Sequence, residues 1–121
     1  MNSSKVFRTS SIGDILVVEL AGVVSSLADD SISRELDAVR EHFRHGSFHA
    51  IIVDLGQVAY FGSSMLEAIR AMWNDLDPKG GRLVLCNASE VAREILQIAK
   101  FDRVWPLVAT LDDAIKSLQA G

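Results

Sequence analysis

The spacing of apolar and polar positions changes several times along the chain, and each change marks an element. Residues 5–10 and 14–20 are two short runs with strand chemistry, separated by Ser11, Ile12 and Gly13. A break of that length around a glycine predicts a hairpin. Ile15, Leu16, Val17 and Val18 are apolar without alternation, so the second strand is expected to be buried on both faces. From Ile32 the apolar positions fall at Leu36, Val39 and Phe43, at intervals of four, three and four, which puts them on one side of a helix. Arg34, Glu35, Asp37, Arg40 and Glu41 occupy the other positions. Asp29 and Asp30 suit the positive N-terminal end of that helix, and Arg44 and His45 suit its C-terminal end before Gly46. Residues 50–55 then form an apolar, β-branched run that reads as a buried parallel strand.

A second helix is expected after Gly62, where Met65, Leu66, Ile69, Met72, Trp73 and Leu76 recur at helical spacing until Asp77-Pro78 and Gly80-Gly81 stop it. Residues 82–86 are the next strand. Val91, Ala92, Ile95, Leu96, Ile98 and Ala99 mark a third helix, capped by Asn87 or Ser89. Residues 105–108 form a weak last strand, and Thr110-Leu111-Asp112-Asp113 has the form of a capping box ahead of a final helix with Ala114, Ile115 and Leu118. Strands alternating with helices need crossovers between parallel neighbours. The expected architecture is therefore α/β: an open mixed sheet of about four to five strands with a parallel core and about four helices packed against it.

Composition narrows the class. A chain of 121 residues, 49% hydrophobic and 23% charged, has the proportions of one globular domain, read as spanning 1–121 with a frayed start at 1–4. Twelve basic against sixteen acidic residues give a net charge of -4, which offers no cationic excess for nucleic acid. The lone Cys86 closes the apolar run Leu83-Val84-Leu85 and reads as a packed core thiol. The start of the chain is polar, without the apolar core of a signal peptide, and the apolar runs are too short to cross a bilayer, so a cytoplasmic location is expected.

Chemistry in an open parallel sheet gathers beyond the carboxyl ends of the strands. The first such junction runs from Asp54 to Glu67 and contains Gly62-Ser63-Ser64-Met65-Leu66. Ser64 and Glu67 have capping-box spacing, which suits a helix start with no further role. Adjacent serines at a helix N-terminus also suit phosphorylation, because that end tolerates added negative charge. Asp54 is expected to hold the loop through bonds to backbone N–H groups.

At this junction the chain resembles the STAS domains, and among them the bacterial anti-sigma factor antagonists. Asp54-Leu55, Val58 and Gly62-Ser63-Ser64-Met65-Leu66 are similar to the family signature of Asp-Leu followed by Asp-Ser-Ser-Gly-Leu, with Gly62 and Met65 in place of the usual Asp and Gly. Residues 13–22, 81–85 and 87–115 resemble further family segments, so the likeness covers nearly the whole chain. The resemblance implies a STAS-like fold and a non-enzymatic binding switch. Its partner is an anti-sigma factor serine kinase that supplies the ATP, and Ser64, or alternatively Ser63, is the phosphoacceptor. Gly62, Ser63, Ser64 and Met65 form the partner-binding surface, and no cofactor belongs to the chain itself. A PP2C-type phosphatase resets the cycle, sigma-factor-dependent transcription is the output, and a homodimer is an allowed assembly. Direct nucleic-acid contact and membrane insertion are not expected.

Other readings compete. Within the same resemblance, STAS domains serve as peripheral cytoplasmic subunits of phospholipid or anion transport complexes, and as non-phosphorylated scaffolds. Asp54 also ends a strand as a two-component receiver aspartate does, but 20–22 and 108–110 lack the acidic pair and the lysine that a receiver needs. His42, His45 and His49 raise a metal, yet no cysteine accompanies them and His49 lies beyond Gly46. A serine nucleophile needs a positioned base, and no local motif brings a histidine to Ser63-Ser64.

Overall fold

The computed structural model describes residues 7–20, 29–57 and 63–119, with backbone alone at 29–33 and 63–64. Five strands form one mixed sheet in the order β1(Phe7–Ile12), β2(Ile15–Leu20), β3(Ala50–Asp54), β4(Arg82–Cys86) and β5(Leu107–Val108). β1 is antiparallel to β2 and the remaining pairs are parallel. The helices are α1(Asp29–His45), α2(Ser63–Leu76), α3(Glu90–Ile98) and α4(Leu111–Gln119). This is the expected open mixed sheet with four helices. The expected frayed start at 1–4, the first two residues of the 5–10 strand, Val58, Gly62 and the end at 120–121 lie outside the described residues.

Strand order fixes the layers. Each crossover moves one strand along the sheet in the same direction, and right-handed connections then put every crossover helix on one face. The burial agrees: α1, α2 and α3 cover Leu16, Val18, Leu20, Ile51, Val53, Leu83 and Leu85. The opposite face carries Ile15, Val17, Ala50, Ile52, Val84 and Cys86, which α4 covers through Ala114, Leu111, Ile115 and Leu118. Both faces of β2 and β3 are thus buried, which is why these strands are apolar without alternation.

The hairpin is tighter than the sequence suggests. Ser11 and Ile12 continue β1, Ile12 pairs with Ile15, and only Gly13 and Asp14 turn. Gly13 has φ +60°, the conformation that glycine takes most readily at the first central position of such a turn. In a two-residue hairpin the flanking pair is hydrogen-bonded, so Phe7, Thr9 and Ser11 direct their backbone groups away from β2. Phe7 N–H accordingly donates to Glu35 Oε1 on α1 at 3.2 Å.

Helix ends follow local chemistry. α2 runs into a 3-10 turn at Asp77–Lys79, and Gly80 closes it with φ +70°. Ser89, rather than Asn87, caps α3, its Oγ accepting from Ala92 N–H at 3.1 Å. Thr110 Oγ1 accepts from Asp113 N–H at 3.1 Å at the start of α4. The last strand is two residues instead of the four expected over 105–108. Pro106 C=O accepts from Leu85 N–H at 2.9 Å, but proline has no N–H with which to extend the ladder. Trp105 turns inward, buried at 4.7 Å from the Phe101 ring and 5.9 Å from Trp73.

Candidate functional site

Because β2 to β5 are parallel, their carboxyl ends share one edge of the sheet. The start of α2, the start of α3 and the residues after β3 and β4 all lie there. Ser63 and Ser64 open α2 with helical backbone. Ser64 therefore sits inside the first turn, two residues later than a capping role would place it. Four N–H groups at such an end lack intrahelical acceptors, and the summed peptide dipoles give it about half a positive charge. The first turn of α2 carries no acidic residue. By contrast α3 begins with Glu90, α4 has Asp112 and Asp113 in its first turn, and α1 begins with Asp29 and Asp30.

Asp54, at the end of β3, holds the two neighbouring loops. Its Oδ1 accepts from Gly56 N–H at 2.9 Å and from Asn87 Nδ2 at 3.0 Å. Leu55 N–H donates across to Cys86 C=O at 3.0 Å, which continues the β3–β4 pairing one residue past the strand. Asn87 has a role that the sequence does not reveal. It looked like an alternative cap for α3, whereas it stands in left-handed backbone, φ +61°, and reaches back to Asp54. The signal available in the sequence was its type, since asparagine tolerates that conformation better than other non-glycine residues.

Met65 requires a correction. The resemblance placed it on the partner-binding surface, but its side chain is fully buried in the core beneath α2, among residues such as Leu55 and Ile69. Its place in the apolar helical pattern outweighs its place in the motif. Gly62, the other neighbour of the serines, lies outside the described residues.

The remaining reactive side chains are accounted for separately. Burial, and secondarily the charge of Asp54, pushes the Cys86 thiol up to about 12, so it stays protonated and packs as an apolar group. His45 Nε2 lies 3.0 Å from Glu41 Oε1, His49 Nδ1 lies 2.6 Å from Asp14 Oδ2, and the His42 ring packs 5.5 Å from Phe48. Among the described residues no group of three His, Cys, Asp or Glu side chains could hold a metal ion. No helix among the described residues is long and apolar enough to cross a membrane.

Comparison with known proteins agrees with this architecture. The STAS domain family model matches residues 7–114. A Bordetella bronchiseptica protein, provisionally named anti-sigma factor antagonist BtrV, is 27% identical over 103 residues, covering 85% of each chain. The structure of the anti-sigma factor antagonist SpoIIAA in its unphosphorylated form superposes with a TM-score of 0.81 at 18% identity, covering 95% of this chain and 97% of that one. The Bacillus cell fate determinant SpoIIAA in the phosphorylated form gives 0.72 at 19% identity, covering 93% and 98%. A mixed sheet with sequential strand order, three crossover helices on one face and a fourth helix on the other defines the class, and the chain belongs to the STAS domain family.

Proposed function

We propose that the chain is an anti-sigma factor antagonist, acting over 1–121 as one STAS domain that works by binding and not by catalysis. Its partner is an anti-sigma factor serine kinase of the cytoplasm, which supplies the ATP. Phosphorylation of Ser64, with Ser63 as the alternative, switches the binding off, and a phosphatase restores it. The names of the BtrV relative and of the SpoIIAA structures support the antagonist reading. The observation that carries it on this chain is the start of α2. Two serines open a helix whose first turn has no carboxylate, so the dipole at that end is free to offset an added phosphate.

The switch needs no rearrangement of the fold. A phosphoserine adds about -1.5 to -2 charges at neutral pH, and in an interface shaped for a hydroxyl that charge must be desolvated. A penalty of ~3 kcal/mol lowers affinity by about two orders of magnitude. Met65, fully buried, adds no side chain to the surface at this helix start.

The test is incubation with the cognate kinase and ATP followed by phosphopeptide mapping. Modification is expected at Ser64 and absent from Ser64→Ala. Ser64→Asp is expected to bind the kinase about a hundredfold more weakly than Ser64→Ala. No modification at either serine, with a kinase active on a control substrate, overturns the proposal.

A further inference from the structure

We infer that Asn87 is a positioning residue for the start of α2: its amide latches the loop after β3 to the loop after β4 and so presets the surface that the partner meets. The inference rests on the proposed function for its use, but the latch itself is a matter of geometry. Asp54 Oδ1 is the hub, taking Gly56 N–H at 2.9 Å from its own loop and Asn87 Nδ2 at 3.0 Å from the next. Contact is close on both sides, since a Cβ placed on Gly56 would lie 3.2 Å from Asp54 Oδ1 and 3.4 Å from Asn87 Cβ. The Leu55 N–H to Cys86 C=O bond closes the same seam from below.

The chemistry makes Asn87 more than a cap for a buried carboxylate. Asp54 is half-buried, and both its contacts to Oδ1 are N–H donors, one of them from a side chain reached only because Asn87 adopts φ +61°. Backbone in that region disfavours most residues, and asparagine, aspartate and glycine adopt it most readily. Of these, only asparagine both tolerates the backbone and donates. Asp54 alone organises its own loop, and Asn87 makes the two loops one unit.

A latched loop offers its binding-competent conformation all of the time, whereas a released one offers it a fraction of the time, and apparent affinity falls by that fraction. Asn87→Gly keeps the backbone conformation and removes the amide. Asn87→Asp sets a carboxylate against Asp54.

Two measurements decide the matter. Hydrogen exchange at the Gly56 amide needs no partner: it is expected to quicken about tenfold, ~1.4 kcal/mol, in Asn87→Gly and Asn87→Asp. Phosphorylation by the cognate kinase is expected to show a KM raised about tenfold with kcat within about twofold in both variants. A merely structural role would change stability without this division. Unchanged Gly56 exchange in Asn87→Gly overturns the latch. Altered exchange with an unchanged KM overturns its use in presentation. A wild-type protein that no active kinase modifies overturns the proposed function, and with it that use, while the exchange result still stands on the latch.

Discussion

Met65 and Cys86 show how a single position is decided by where its side chain points. Both lie beside the candidate site in sequence, and both are fully buried. For Cys86 this has a consequence in pH. Its thiol is raised from 9.0 to about 12, chiefly by burial. Below 9.0 the thiol is neutral in folded and unfolded chains alike and adds no pH dependence. Above that value the unfolded chain releases the proton while the folded chain keeps it up to about 12, so stability falls as pH rises through this window. The loss is at most about 1.4 kcal/mol per pH unit. Cys86→Ala lacks this contribution. Urea unfolding of both proteins at about pH 8 and about pH 10 should therefore show the variant gaining on wild type at the higher pH. A constant difference between them would contradict the burial-driven shift.

Elements whose signals are local were legible in the sequence. Asp29 and Asp30 before Leu36, Val39 and Phe43, with Arg44 and His45 at the far end, mark α1 because the end charges and the apolar stripe sit within one segment. β4 was equally plain as an apolar run beginning at Arg82 and ending at Cys86. β5 was overestimated because its start depends on a neighbour: only the pairing with β4 reveals that the missing N–H of Pro106 falls on the side that faces β4. Asn87 was missed for a related reason, since its partner stands thirty-three residues earlier and nothing local points to it. The motif serines were found by resemblance, and the acid-free first turn that distinguishes α2 from α3 and α4 was visible in the letters. The caps permit a direct check at this scale. Ser89→Ala and Thr110→Ala each remove an acceptor for a helix-end N–H and should cost about 1 kcal/mol. They share no bond, so in urea denaturation the double variant should lose the sum. Were either change neutral, the observed cap bond would carry no stability.

Across the whole molecule, the helical layer is tied by ion pairs converging on Asp75 as well as by its core. Arg40 on α1 meets Asp75 on α2 through both ends of its guanidinium, Nε to Oδ2 at 2.8 Å and Nη2 to Oδ1 at 3.0 Å. Arg44 Nη2 stands 3.9 Å from the same carboxylate. The Asp75 side chain is only 13% exposed, so this fork–fork pair is screened less than a surface one. Asp75→Asn keeps the shape and removes the charge. It should lower stability by about 1–2 kcal/mol, read as a shifted urea midpoint with unchanged slope. An unshifted midpoint would make the pair incidental to stability. The ends of the sheet carry a different consequence. At one edge Glu35 takes the outward N–H of Phe7, leaving Thr9 and Ser11 as the outward-facing residues of β1, and at the other β5 is two residues long beside a proline. Neither edge, among the described residues, offers a run of free backbone long enough to template another chain's strand. The clipped margins of the sheet thus let the chain be stockpiled at high concentration without seeding fibres.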